Sequence, residues 1–254
     1  MIDTHCHLTD PRLGDQLEAV LARAADTGVA RIVTVGTGIA DSRDSIGVCV
    51  NRNRLRCTVG VHPSYVTEED FNDLPQLREM LGSPAVVAIG EIGLDYSRGK
   101  NNRDRQIEFF KWQLNLATET DRPVVIHCRE AIDDCLAIVK DFPKLAMDFH
   151  CFTGTPDEAR RILDAGYLVG FTGVVTFKTT ESLRDNVRLT PIDRMVVETD
   201  APYLSPEPVR KVKVCEPAFV MHTAAVVAQI KGVSVAELDR ITSATAEAFY
   251  RWAE

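Results

Sequence analysis

Short β-branched or apolar runs alternate with amphipathic stretches from one end of the chain to the other. The apolar runs predict strands at Ile2–His5, Arg31–Gly36, Leu55–Val61, Val86–Glu91, Pro123–His127, Leu145–His150, Tyr167–Phe171 and Met195–Thr199. The stretches between them carry helical periodicity at Asp15–Thr27, Asp41–Asn51, Leu74–Leu81, Asp104–Thr120, Ala131–Asp141, Pro156–Ala165 and Ser182–Leu189. Two further helices, Pro217–Lys231 and Val235–Arg251, follow the last strand. Regular alternation with near-continuous apolar strands means parallel strands covered on both faces, the α/β class. Eight such units in 254 residues predict a closed (β/α)8 TIM barrel rather than an open doubly wound sheet. No fixed-period repeat, low-complexity tract or linker interrupts the pattern, so residues 1–254 read as a single domain. The proline-rich stretch Pro202–Pro208 reads as a rim loop.

Composition narrows the class further. With 45% apolar and 26% charged residues, the chain is that of an ordinary globular protein. No apolar run reaches the ~18 residues of a membrane span, and Met1-Ile2-Asp3 opens directly into a strand, so neither a membrane role nor a signal peptide is expected. The seven cysteines form no CxxC pair and no disulfide framework, which predicts a cytoplasmic location; a single-domain barrel makes a monomer the default expectation. A net charge of −8 argues against DNA held on a broad basic face, so any basic residues meeting phosphate must be local.

The placement of polar residues carries the chemistry. His5 and His7 end the first predicted strand, His62 follows the third, Glu91 ends the fourth, His127 the fifth and His150 the sixth, while Asp200 follows the eighth. Each arrives at the C-terminal end of a strand, where barrel active sites form. Of the six histidines only His222 lies elsewhere, in a helix. Period-2 alternation in Asp3-Thr4-His5-Cys6-His7 puts the two imidazoles on one face, able to chelate one ion, with Asp3 one step deeper and placed to orient a ligand. An HxH pair alone is equally compatible with histidines bonded to neighbouring loops; the other rim residues make it a metal site. Cys6, Cys128 and Cys151 flank proposed ligands but point to the opposite face, and Cys49, Cys57, Cys135 and Cys215 lack ligand spacing.

Four or five imidazoles and two carboxylates exceed the needs of one catalytic ion, which suggests two divalent ions sharing a bridge. Carboxylate can bridge and imidazole cannot, so Glu91 is the best candidate. Two such ions would clamp a phosphodiester and activate a water. The local basic residues are present: Arg98, Lys100, Arg103 and Arg105 after Glu91, Arg129 two beyond His127, and Arg210, Lys211 and Lys213 after Asp200. Any one could be plain solvated charge. Their clustering behind ligand-bearing strands makes Arg103, Arg129 and Lys213 candidates for phosphate contact.

Six blocks of the chain resemble the TatD-type metal-dependent deoxyribonucleases of the metal-dependent hydrolase superfamily. They are Ile2-Asp3-Thr4-His5-Cys6-His7-Leu8, Gly60-Val61-His62-Pro63, Gly90-Glu91-Ile92-Gly93-Leu94-Asp95-Tyr96, the segment from Pro123 through His127 to Ala131, His150-Cys151-Phe152-Thr153-Gly154, and Glu198-Thr199-Asp200-Ala201-Pro202-Tyr203-Leu204. They occur in the family's order and span nearly the whole chain. The resemblance implies that His5, His7, Glu91, His127, His150 and Asp200 hold metal, with Glu91 bridging. It also implies that Asp200 holds or deprotonates the attacking water and that His62 contacts the scissile phosphate. Family members are magnesium-dependent 3′-to-5′ exonucleases favouring single-stranded DNA, linked to DNA repair and fragmentation. A histidine-rich set suits zinc or manganese better than magnesium, so the ion is Mg, Mn or Zn.

Two stretches depart from the family pattern. Where Arg-Gly-Lys-x-Asn-Glu-Pro is usual, this chain has Arg210-Lys211-Val212-Lys213-Val214-Cys215-Glu216-Pro217, which changes the rim loop. The usual asparagine near the C-terminus is Thr245, expected to cap a helix or support the rim. Two other functions compete with the nuclease. A binuclear amidohydrolase or deaminase acting on a C–N bond could use the same barrel, but many of those carry a carboxylated lysine where this chain has Glu91. A non-catalytic scaffold would have no use for so many metal ligands.

Overall fold

A computed structural model describes residues 1–99 and 101–252. Lys100, one of the basic residues singled out above, lies outside them. In chain order the first elements are β1 (Ile2–Cys6), α1 (Pro11–Gly14), α2 (Leu17–Asp26), β2 (Arg31–Val35), α3 (Ile39–Cys49) and β3 (Leu55–Val59). Next come α4 (Pro75–Met80), β4 (Val86–Asp95), α5 (Arg103–Thr120), β5 (Val124–Arg129), α6 (Ile132–Val139) and β6 (Met147–Phe149). The chain continues through α7 (Pro156–Asp164), β7 (Leu168–Phe171), α8 (Glu181–Leu189), β8 (Met195–Val197), α9 (Val220–Lys231) and α10 (Val235–Tyr250). The strands form one sheet in the order β1 to β8. Every predicted strand and helix is present, with ends shifted by a few residues.

Three differences matter. The four-residue α1 was not expected; Asp10 caps it by accepting from Arg12 N, and Pro11 opens it. The stretch beginning at Pro217 starts as a 3-10 turn, Pro217–Phe219, before α9. Most consequentially, β4 runs four residues past Glu91, the predicted end, to Asp95. Among the described residues no single helix is long and apolar enough to cross a membrane.

Contacts gather the residues into two compact units, 1–34 with 151–254 and 35–150. In the first, β1 lies parallel to β2 with Ile2 opposite Arg31, and β7 lies parallel to β8 with Val169 opposite Met195. All five residues of β1 are buried, as a strand covered on both faces requires. The N-terminus of α7 is closed by a reciprocal box: Thr155 Oγ1 accepts from Glu158 N, and Glu158 accepts from Thr155 N. Tyr250 at the end of α10 is buried and donates to the carbonyl of Thr4 at 3.0 Å, tying that helix to β1 one residue before His5.

In the second unit β3, β4, β5 and β6 are parallel neighbours. Two buried glutamines of α5 finish their edges. Gln113 Oε1 accepts from Val61 N at 2.7 Å while its Nε2 donates to Val61 O at 3.2 Å. Gln106 does the same for Asp95, accepting from its N and donating to its O, both at 2.9 Å. A side-chain amide carries the donor and acceptor of a missing backbone partner, so each glutamine replaces one just where the chain leaves the sheet. The residues so held are Asp95 itself and Val61, which precedes His62.

Candidate active site

The predicted ligands form two groups, one within each unit. In the first, Asp200 Oδ1 lies 3.3 Å from His7 Nε2 and 3.8 Å from His5 Nε2. The three ligand atoms all fall within 4.8 Å of one another. His5 is fully buried, and His7 and Asp200 are mostly so. Their placement is set by backbone bonding between β1 and the segment after β8: Asp200 N donates to His5 O at 2.9 Å and His7 N to Ala201 O at 2.7 Å. Asp200 itself sits at φ 55°, a left-handed conformation that aspartate tolerates better than most residues.

Asp3 acts through the neighbouring residue. Its buried carboxyl accepts from Thr199 N at 2.9 Å and from Thr199 Oγ1 at 2.7 Å, fastening the residue before Asp200. Burial pushes its pKa up to about 8, against the Thr199 bonds that lower it. Glu198, which sequence reasoning passed over, is fully buried. It accepts from Cys151 N at 2.5 Å. A Cβ on Gly170 would stand 2.9 Å from it, so that glycine makes its room. The available signal was parity: Glu198 and Asp200 are two residues apart and share a strand face.

In the second group Glu91 is the hub. Its Oε1 accepts from His127 Nδ1 at 2.7 Å, lies 2.7 Å from His150 Nε2, and is 3.4 Å from His62 Nε2. One ligand atom each from His62, Glu91 and His127 also lies within 4.8 Å of the others. Burial alone would raise the pKa of Glu91, but the imidazoles of His150, His62 and His127 outweigh it and hold the carboxyl well below its usual range. His127 Nε2 donates to Asp95 Oδ2 at 3.0 Å. Burial works against a charged ring at His127, yet the bonds to Asp95 and Glu91 prevail and push its pKa up to about 9. Asp95, likewise, is driven below the ordinary carboxylate range despite burial, by His127 and Ser97. Sequence pattern alone marks no role for Asp95, within the Gly90-to-Tyr96 block. It orients His127 from the far side, as carboxylates commonly do for metal-binding histidines.

His62 differs from the other rings. Its Nδ1 accepts from Ser64 N at 3.0 Å, so in the neutral ring the proton resides on Nε2. That nitrogen is a donor, suited to a phosphate oxygen more than to a cation.

The basic candidates are placed unequally. Arg129 and Lys213 are exposed. Arg103 is committed on one side: its Nε donates at 2.9 Å to Asp134, which also accepts from Tyr96 OH at 2.6 Å. Arg105 donates to the carbonyls of Val66 and Glu69 and braces that loop. Arg210 lies 3.8 Å over the Phe177 ring. Cys215 is buried with its N bonded to Pro202 O at 3.0 Å, so this departure sits where the rim loop is pinned. Thr245 lies within α10 and not at its end; its hydroxyl reaches Ile241 O at 3.0 Å and Asp193 O, in the segment before β8, at 3.4 Å. His222, on α9, rests near Phe219, with ring centroids 6.1 Å apart, and belongs to neither group.

Comparison with known proteins identifies relatives over nearly the whole chain. The model of the family described as TatD related DNase matches residues 2–251. The metal-dependent hydrolase YcfH of Escherichia coli K12 is 38% identical over 96% of this chain and 92% of its own length. The 3′-5′ ssDNA/RNA exonuclease TatD of Erwinia billingiae is 36% identical over 99% of both chains. The crystal structure of YjjV, a TatD homologue from Escherichia coli K12, superposes with a TM-score of 0.94 at 27% identity, covering 99% of this chain and 98% of that one. The fold class is therefore the (β/α)8 barrel, and the protein belongs to the TatD-related DNase family of metal-dependent hydrolases.

Proposed function

We propose that this protein is a metal-dependent phosphodiesterase that removes nucleotides from the 3′ end of single-stranded DNA. In this reading it is one catalytic domain working as a cytoplasmic monomer with two divalent ions. The carrying observation is the convergence on Glu91 of three imidazoles, two of them at 2.7 Å. A buried carboxylate ringed by imidazole nitrogens is a donor set for a cation and is costly to maintain otherwise. The name of the Erwinia relative supports the substrate and the polarity, and seven unbridged thiols suit a reducing compartment.

His5, His7 and Asp200 would hold one ion, and Glu91, His127 and His150 the other. Mixed nitrogen and oxygen donors fit Mn or Zn directly, and Mg through the carboxylates. Such ions, when bound, supply charge for the phosphate oxygens and lower the pKa of water. Asp200, partly open to solvent at 16% side-chain exposure, accepts the proton of the attacking water. His62 donates its Nε2 proton to a non-bridging phosphate oxygen, with Ser64 fixing the tautomer. Asp95 keeps the His127 ring from turning. Arg129, Lys213 and, through its outer edge, Arg103 meet the phosphates of the strand.

The test uses a 5′-labelled single-stranded oligonucleotide. A ladder shortening from the 3′ end, abolished by chelator and restored by divalent metal, is expected. Chelator-resistant cleavage by pure protein, or turnover of cyclic amides in its place, would overturn the reading.

A further inference from the structure

Among the described residues, the aromatic side chains more than one third exposed are two tyrosines, Tyr65 at 42% and Tyr203 at 48%. Both occupy the same local position. Tyr65 N donates to His62 O at 2.9 Å, and Tyr203 N donates to Asp200 O, also at 2.9 Å. Each tyrosine therefore stands at the fourth position of a tight turn whose first residue belongs to the candidate site. Each ring meets a site histidine edge-on, Tyr65 against His62 with centroids 6.2 Å apart and Tyr203 against His7 at 6.1 Å.

Tyr203 is also braced. The Arg12 guanidinium lies 4.6 Å from its ring centroid. Arg12 is itself locked by a two-pronged pair with Asp10, Nε to Oδ1 at 2.8 Å and Nη2 to Oδ2 at 2.7 Å. Behind the ring, Pro202 O accepts from Cys215 N at 3.0 Å. An aromatic ring left half in water gives up hydrophobic stabilisation. A ring held that way by an arginine, a histidine and a pinned turn is pre-organised to cover something flat and apolar.

We propose that Tyr203 and Tyr65 are stacking platforms for nucleobases of the substrate strand, Tyr203 beside the His7 group and Tyr65 beside the His62 group. Every base has a π face, so stacking grips single strands without reading sequence. In a duplex those faces are already stacked on their neighbours. The platforms thereby select an unpaired strand, which the net charge of −8 leaves poorly held by electrostatics alone. This inference rests on the nuclease reading above.

The experiment compares a short single-stranded oligothymidylate with a strand of equal length whose three 3′-terminal nucleotides are abasic. It measures kcat and KM separately, together with binding by fluorescence anisotropy, for wild type, Tyr203→Ala, Tyr65→Ala and the corresponding Phe, Trp and Leu variants. Leu keeps bulk without a π face and replaces Ala should that variant fail to fold. Each loss of a ring is expected to raise KM and Kd for the base-bearing strand roughly 5- to 150-fold, with kcat nearly unmoved. The preference over the abasic strand falls by the same factor, and Phe and Trp restore it. Unchanged KM, or equal losses on both strands, would overturn the platforms while leaving the nuclease reading in place. Wild type that neither binds nor cleaves either strand in the presence of divalent metal would overturn both.

Discussion

A methyl group on Gly93 would stand 2.0 Å from the carbonyl oxygen of His127, the residue opposite it in the β4–β5 pair. Gly93 also has φ 142°, a conformation open to little else. The absence of a side chain lets the backbone carrying Glu91 and Asp95 close on the strand carrying His127, and all three side chains then meet. Gly93→Ala is expected to cost roughly 2–6 kcal/mol, from backbone strain and overpacking together, and to lower metal content in the protein that survives. Gly28→Ala is the comparison: φ is also positive there, at 91°, but nothing lies within 4 Å of the added carbon, so it should cost no more than strain alone. Denaturant melts and elemental analysis of the two variants check this.

Glu91 touches His62, His127 and His150 in common. Glu91→Gln preserves the shape but removes the charge those rings face. Turnover should fall at least ~10–100-fold, the range produced by removing a group that merely supports a metal ligand, and bound metal should fall with it. His222→Ala, on the outer helix α9, should retain wild-type metal content and rate. Equal metal content in Glu91→Gln and wild type would show that the hub does not hold an ion.

A cation that binds the assembled ligands and not the unfolded chain should stabilise the fold by mass action. At a concentration one hundred times Kd, one site contributes about 2.7 kcal/mol. For a chain of 254 residues that is a rise in Tm of roughly 5–10 °C per site. Thermal melts in chelator and in Mn or Zn check it, and identical melts would remove the ligand reading.

The unequal setting of the basic residues predicts an unequal salt response. For a single strand each phosphate contact contributes about 0.7 to the slope of log K against log salt. Arg129→Ala and Lys213→Ala, both losing exposed cations, should each flatten the slope by about that amount. Arg103, already neutralised by Asp134, should change it less. Slopes from anisotropy titrations over a salt series decide the matter.

The strands and helices were legible because each apolar run and amphipathic stretch has one stable use in a parallel sheet covered by helices. The ligands were legible because His5, His7, Glu91, His127, His150 and Asp200 are unusual residues at a recurrent position. What escaped was whatever acts through a second residue. Asp95 lies beyond the predicted end of β4, in an extension that depends on Gly93 fitting against β5. Glu198 looks in sequence like any strand-end acid, since its burial follows from Gly170. Arg103 gives no sign of Asp134, which is 31 positions away.

Gln106 and Gln113 escaped for the same reason, although their seven-residue spacing does place them on one face of α5. Gln113 holds both backbone groups of Val61, the residue before His62. Gln113→Leu fits the same space but leaves a buried N–H and a buried C=O unpaired, at a cost of about 1–3 kcal/mol for each group. The freed chain should let His62 drift, so kcat/KM should drop by more than the stability loss explains, with bound metal less affected. Thr155→Ala separates the two effects: it opens the capping box of α7, costs about 1 kcal/mol, and should lower Tm with kcat/KM unchanged. If both variants lose Tm and neither loses kcat/KM, Gln113 braces the strand without positioning His62. A selective loss of kcat/KM in Gln113→Leu would make α5 part of what aims the site.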